Sequence, residues 1–291
     1  IEDNDGYNTA VFIQGGVGIF RDCVIRNNRR EYDGNSTILL GSALYVTSQD
    51  LGEVYHIGVL VLDRCKVLSN FIDNGSDPML NNSGIGLMVN QGLAFISNSV
   101  IADNYFIGSA SSSLGTGITI ENGGITLINS TVSGNQGVSG WYGSGLLVNN
   151  NWNDLPDWHG QFSRDVIILN SIIADNNPST NQFYIGNPGT GNNYTDYTEL
   201  SNSIFENGSG ESWFDPDDGH YDFDPLFADT NYVLSEYSRA IGLGGTSIED
   251  ADGNDISAPS VDILGDLRPN PAGSNPDLGA YEHELASFRR V

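Results

Sequence analysis

The basic side chains that could take part in chemistry are few, and two of them stand together. The chain contains 37 acidic and 11 basic residues, and Lys66 is its only lysine. Arg64 lies two residues before Lys66, with Asp63 adjacent. Alternation along a strand would place Lys66 and Arg64 on one face, where either could act as a general base. They are the nearest candidates for catalysis, but the sequence contains no complete catalytic set around them.

Oxygen-bearing side chains crowd into two short segments near the C-terminus. The first holds five aspartates within ten residues, and the second alternates its ligands around Gly253 as at the start of a calcium loop. The second segment lacks the bidentate glutamate that completes an EF-hand loop. The candidate calcium ligands are Asp215, Asp217, Asp218, Asp222, Asp250, Asp252 and Asn254. The alternative is that both segments are solvated acidic turns without a metal.

Aromatic residues recur in the segments that follow a repeated asparagine. Flat aromatic faces beside carboxylates such as Asp73 suit the binding of sugar rings. The candidate ligand-binding residues are Tyr32, Phe71, Tyr105, Phe106, Trp141 and Tyr142. The alternative is that these segments fold back over outward-facing apolar residues, which would otherwise leave an exposed stripe.

A repeat should position the basic and aromatic candidates. Six segments of similar sequence occupy residues 22–28, 64–70, 98–104, 129–135, 170–176 and 202–207. Short β-rich runs separate them, and successive repeats differ in length from 24 to 42 residues. A constant core pattern with variable connections is typical of a solenoid whose coils stack while insertions leave as loops. The sequence therefore predicts an all-β fold, a right-handed parallel β-helix solenoid with a C-terminal cap.

Equivalent positions of the repeat predict how each coil is built. Because side chains alternate along a strand, the small Cys or Ser position and the apolar position two residues later should both point into the core. The asparagines expected to form a ladder at one corner are Asn28, Asn70, Asn104, Asn135 and Asn176. Cys23 and Cys65 would lie one coil apart, within reach of a disulfide. Two stacked free thiols are the alternative.

The repeat pattern gives way to an acidic segment towards the C-terminus. We therefore divide the chain into coils over residues 1–213 and an acidic cap over residues 214–291. Three segments of the cap resemble the end of secreted bacterial β-helix proteins. They are DPLF (residues 224–227), SRAIGLG (238–244) and GDLRPNPAGSNPDLGAYE (265–282). In those proteins a type nine secretion sorting or anchoring domain follows. The coils resemble the pectate-lyase-like superfamily. These resemblances imply a protein that is secreted or displayed on the bacterial cell surface.

The favoured function is an extracellular or cell-surface structural or adhesive module, with a polysaccharide or matrix component as partner. The alternative, implied by the same resemblance, is a polysaccharide lyase in which a basic residue acts beside calcium. The formal charge of −26 disfavours nucleic acid, because phosphate binding needs clustered Lys and Arg. No apolar run approaches the length of a membrane span. Because residues 1–4 match residues 101–104, we also expect the β-helix to continue upstream.

Overall fold

The described residues form an all-β fold in a computed structural model of the chain. The structure describes residues 1–31, 38–40, 43–52, 55–73, 81–107, 112–137, 144–149, 165–177, 182–186 and 198–290. Most of its strands pair in parallel with the equivalent strands of neighbouring repeats. The predicted all-β class and the regular stacking of parallel sheets are thereby confirmed, and the architecture is solenoid-like.

Three large parallel sheets run along the stack. The strands of the first sheet are Val11–Gln14, Leu44–Thr47, Leu87–Asn90, Ile118–Glu121, Leu146–Asn149 and Phe183–Gly186. Those of the second sheet are Val17–Arg21, Gly58–Asp63, Gly92–Ser97, Gly124–Ile128, Val166–Leu169 and Thr198–Ser201. Those of the third sheet are Val24–Arg26, Lys66–Leu68, Val100–Ala102, Thr131–Ser133, Ile172–Ala174, Ser203–Phe205 and His220–Tyr221.

Smaller elements lie outside these three sheets. The fourth sheet contains Asp5–Gly6, Arg29–Glu31, Phe71–Asp73 and Tyr105–Ile107, and it is parallel. The fifth, also parallel, contains Ile38–Leu40, Asn81–Ser83 and Ser112–Leu114. Two antiparallel hairpins join Gln49–Asp50 to Tyr55–His56 and Ser247–Glu249 to Asp255–Ser257. A short 3-10 helix covers Pro216–Asp218.

All three large sheets contribute buried residues to the core, and the third sheet contributes one apolar and one small column. The fully buried apolar column is Ile25, Val67, Ile101, Val132, Ile173 and Phe205. In the small column, the hydroxyl of Ser130 accepts the backbone N–H of Ser99 at 3.2 Å and donates to the carbonyl of Ile128 at 2.8 Å. Each serine thus links two coils and satisfies backbone groups that would otherwise be buried without a partner.

The repeated asparagines form a continuous hydrogen-bonded ladder. The amide of Asn70 donates to Oδ1 of Asn104 at 2.9 Å, and that of Asn104 donates to Oδ1 of Asn135 at 2.9 Å. The same bond joins every neighbouring pair of the ladder, which is extended at its two ends by Asn4 and Gln182. The left-handed backbone conformation belongs to the residue before each ladder asparagine, for example φ 56° at Asp103. The side chain of the asparagine then makes hydrogen bonds to backbone groups near the bend that this residue creates.

The two cysteines are free in this structure, and Cys65 is buried while Cys23 is partly exposed. The thiol of Cys23 donates to the carbonyl of Arg21, and that of Cys65 donates to the carbonyl of Phe20. Burial raises the pKa of Cys65 to about 11. The arrangement shown is therefore that of two stacked small side chains.

The C-terminal segment differs from the expected cap. The end of the core at Phe205 is covered by Trp213, Phe214 and His220, whose rings pack against one another. The chain then runs back along the outer face of the third sheet, where residues such as Leu278 and Tyr281 pack on the coils. The outer face of that sheet carries Val100, Ile172 and Ile204, so it needs a cover along its length as well as at its end.

A buried charge cluster fastens this returning segment. Arg268 pairs with Glu282 at 3.0 Å, and both side chains are fully buried. Arg268 also donates to the backbone carbonyls of Asp277 and Gly279. Because burial is the dominant influence, the pKa of Asp277 is raised to about 7 and that of Glu282 is also raised. The pair therefore links the two parts of the returning segment that contain Arg268 and Glu282.

Candidate functional site

The outer face of the fourth sheet brings aromatic side chains of successive coils together. Arg29, Phe71 and Tyr105 occupy one register position on three neighbouring strands. The rings of Phe71 and Tyr105 are stacked, with centroids 5.0 Å apart and planes inclined by 11°. Backbone bridges continue this position to Gln136 and Asn177. Each of these residues directly follows a ladder asparagine, so the ladder fixes the spacing of the row.

Arg29 lies at the end of this row within a set of carboxylates. Its guanidinium contacts Asp5 at 3.3 Å, Glu31 at 2.5 Å and Asp73 at 2.8 Å. These contacts join three coils, and the pKa of Arg29 is raised chiefly by its hydrogen bond to Asp73. The row therefore combines a flat apolar surface with charged groups that can donate and accept hydrogen bonds.

A polar pocket of about 260 Å³ adjoins Arg29. Asn4, Asp5, Tyr7, Asn8 and Thr9 contribute to its lining, together with Arg29. The Tyr7 side chain is largely exposed. We call Arg29, Phe71 and Tyr105 together with this pocket the corner surface.

Of the other predicted ligand-binding residues, the structure describes Phe106. Tyr32, Trp141 and Tyr142 lie outside the described residues. Phe106 belongs to the opposite face of its strand and packs against the buried Ile72 and Ile85, so its inclusion in the row was wrong. The reason is that successive side chains of a strand point to opposite faces, and Tyr105 already points outward.

Sequence reasoning missed Arg29, Tyr7 and the pocket. A signal for Arg29 was present, because it follows Asn28 just as Phe71 follows Asn70. The residue directly after each ladder asparagine was therefore the position to align. Tyr7 and the pocket depend on the folding of residues 4–10 against Arg29, which no repeat pattern specifies.

The two basic candidates are already engaged by neighbouring residues. Arg64 holds Asp22 through two hydrogen bonds, of 2.7 and 2.9 Å, and contacts Asp63 at 3.2 Å. It has φ 52° and lies in a bend, so the expectation that it shares a strand face with Lys66 was wrong. The ammonium group of Lys66 lies 5.4 Å from the ring centroid of Tyr281. The returning C-terminal segment thus contacts the only lysine, which is half-buried.

The first predicted calcium cluster is spread over turns. Asp215 caps the short 3-10 helix by accepting the N–H of Asp217, which precedes Asp218 in that helix. Asp222 points elsewhere and accepts the N–H groups of Asn207 and Ser209. These bonds lower the pKa of Asp222 despite its partial burial. The carboxylates are used to hold backbone turns.

The second predicted cluster lies at the tip of a hairpin. Oδ1 of Asp250 accepts the N–H groups of Asp252 and Asn254 and the amide of Asn254. Within the residues that the structure describes, no three His, Cys, Asp or Glu side chains are grouped to hold a metal ion. Calcium binding stays a prediction, and these turns need no ion to satisfy their backbone groups.

The outer face of the first sheet carries the apolar stripe that sequence analysis expected to be covered. Met88 and Leu147 are buried there, and Thr119 bonds to the carbonyl of Gly115. At the N-terminal end, Phe12 and Tyr45 form a second stacked pair with centroids 5.4 Å apart. The apolar stripe is therefore buried in the middle coils, at Met88 and Leu147, whereas Phe12 in the first coil is exposed.

Comparison with known proteins assigns no family to the chain. No protein-family model matches it, no curated protein matches it and no solved structure matches it. In the described part of the chain, no helix has the length and apolar character that crossing a membrane requires. A functional proposal must therefore rest on the residues of the chain itself.

Proposed function

We propose that the chain is a right-handed parallel β-helix that serves as a structural or adhesive module outside the bacterial cell or on its surface. In this proposal it contacts a polysaccharide through the corner surface. The observation that carries the proposal is the outward stack of Phe71 and Tyr105 beside Arg29. The proposal of secretion rests on the resemblance of residues 224–227, 238–244 and 265–282 to the end of secreted bacterial β-helix proteins.

The order of the sheets supports the β-helix. In each coil the chain visits the first, second and third sheets in the same order, and each sheet is stacked in sequence order. Parallel strands joined by crossovers adopt the right-handed connection in nearly all proteins. Serine and asparagine ladders link the coils, which makes a stiff rod the expected mechanical property.

The chemistry of the corner surface suits a sugar chain. Sugar rings present C–H faces that pack on aromatic rings and hydroxyl groups that need polar partners. Phe71 and Tyr105 supply the rings, while Arg29 and the carboxylates around it supply donors and acceptors. The coil spacing of about 4.8 Å places successive contacts along one direction, as an extended chain requires.

The contacts of the basic residues favour binding over catalysis. A lyase base must be free to take a proton from the substrate, whereas Arg64 is paired with Asp22 and Lys66 lies against Tyr281. The polysaccharide lyase remains the alternative function. It predicts unsaturated sugar products that depend on Lys66.

The test compares two stacked aromatic pairs of the same fold. Neutral and acidic polysaccharides are screened by affinity electrophoresis, with calcium and with a chelator, using the full chain. We expect replacement of Phe71 and Tyr105 by alanine to weaken retention about tenfold or more. The matched replacement of Phe12 and Tyr45 should leave retention unchanged.

Three results would reject parts of the proposal. Binding that survives loss of Phe71 and Tyr105 would remove the corner surface as the site, and no binding to any polysaccharide would remove the glycan role. Release of unsaturated products that stops in Lys66→Ala would establish the lyase instead. Binding that requires calcium would support the predicted metal, which Asp250→Asn and Asp222→Asn would then localise.

A further inference from the structure

The second sheet leaves a strip of apolar side chains on its outer face. Two register columns of three residues each make up this apolar strip. The columns are Val17, Val59 and Leu93, and Ile19, Val61 and Phe95. The exposed fractions are 67% for Val17, 57% for Ile19 and 43% for Phe95. Six neighbouring apolar residues on a flat sheet exceed the scattered exposure expected of a soluble surface.

The strip leads into a cleft of about 290 Å³. One wall is the hairpin of Ser247–Glu249 and Asp255–Ser257, which is anchored by Ile248 against Ile167 and its neighbours. Gly124 is in register with Leu93 and carries no side chain, so the apolar column is interrupted there. Phe95 and Ile256 contribute to the lining. The cleft thus offers an apolar floor at the end of an open apolar strip.

The lining of the cleft is also acidic. Asp165 and Asp250 line it. The pKa of Glu199 is raised, first by partial burial and then by neighbouring carboxylates, with Asp165 foremost. Among the described residues that line the cleft, none is basic; Arg164 lies outside the described residues. The strip and cleft therefore combine apolar contact with a negative potential at one end.

We propose that the apolar strip and its cleft bind a basic amphipathic segment of another protein. The strip would receive the apolar side chains of that segment, and Asp165 and Asp250 would pair with its Lys or Arg. A glycan fits less well, because five of the six residues of the strip are aliphatic and sugar faces prefer aromatic rings. A second copy of this chain is disfavoured by the charge of −26 on each copy.

The test uses a fluorescein-labelled peptide of alternating leucine and lysine, titrated with the full chain while fluorescence anisotropy is recorded. Two further peptides separate the contributions: leucine alternating with glutamate, and serine alternating with lysine. We expect saturable binding of the first peptide, none of the second, and binding of the third that is at least about tenfold weaker. Added salt should weaken but not abolish binding of the first peptide.

Variants localise the site. Phe95→Ser and, separately, Ile19→Ser should weaken binding about fivefold to tenfold, since each removes apolar contact. Asp165→Asn with Asp250→Asn should do the same. The control Phe12→Ser removes an exposed phenylalanine from the first sheet and should change nothing.

A second control neutralises two exposed acids elsewhere, Asp266→Asn with Glu284→Gln. Equal binding of the serine–lysine and leucine–lysine peptides would overturn the proposal, because the charge of the whole chain would then explain the binding. An unchanged affinity in both Phe95→Ser and Ile19→Ser, or an equal loss in the control pair, would overturn it as well. These outcomes are independent of glycan retention at the corner surface.

Discussion

Replacing Asn104 by alanine tests whether the asparagine ladder holds the coils together. The Asn104 side chain is fully buried and makes four hydrogen bonds with three neighbours. Its Oδ1 accepts the backbone N–H and the amide of Asn70, at 3.0 and 2.9 Å. Its amide donates to the carbonyl of Val67 at 3.1 Å and to Oδ1 of Asn135 at 2.9 Å. Alanine removes all four bonds.

The expected loss follows from these contacts. Each buried hydrogen bond contributes about 1 kcal/mol net, and a buried group left without a partner costs a further 1–3 kcal/mol or so. We therefore expect Asn104→Ala to lower the free energy of unfolding by roughly 4–6 kcal/mol, a large part of the roughly 5–15 kcal/mol that stabilises a domain. Urea unfolding followed by circular dichroism measures this loss.

The matched control is Asn177→Ala, which removes an exposed asparagine one place after the ladder residue Asn176. It should change stability by no more than about 0.5 kcal/mol. A loss below about 1.5 kcal/mol for Asn104→Ala would refute the reasoning. So would an equal loss for the two variants, because burial within the ladder would then not matter.

Further predictions concern titratable groups. Folding raises the pKa of Asp277 to about 7, so its protonated form is favoured in the folded state, and stability should fall as pH rises from about 4 through 7. Asp277→Asn should flatten that slope in urea unfolding at several pH values, whereas an unchanged slope would exclude Asp277 as its source. Because Cys65 is buried with its pKa raised to about 11, iodoacetamide should modify Cys23 first, as mass spectrometry of the reduced protein would show. Faster modification of Cys65 would contradict its burial.

The returning C-terminal segment shows where local reasoning failed. Its acidic composition suggested a cap, and among the described residues Trp213, Phe214 and His220 cover the end of the core. The rest is held along the coils by contacts such as the hydrogen bond of Tyr232 to Asp103 at 2.6 Å. This bond spans 129 positions of sequence, a separation at which no repeat or turn pattern carries information.

The sequence by itself determined the all-β class, the stacking of parallel strands and the faces of the third sheet. Recurring Asn and Ser positions specify these features, because each recurrence brings equivalent residues into register on neighbouring coils. Ile101 and Val132 are buried as alternation requires, and Asn104 meets Asn135 as the ladder requires. These interactions repeat locally, so one coil predicts the next.

Only the tertiary structure decided which residues form surfaces. Phe106 turned inward and Arg29 joined Phe71, because strand direction, not proximity in sequence, assigns each side chain to a face. Likewise, the hairpin that packs on Ile167 forms one wall of a cleft on the second sheet, and Tyr281 contacts Lys66. Such contacts join segments that no repeat relates, and their geometry depends on how the coils and the returning segment pack together.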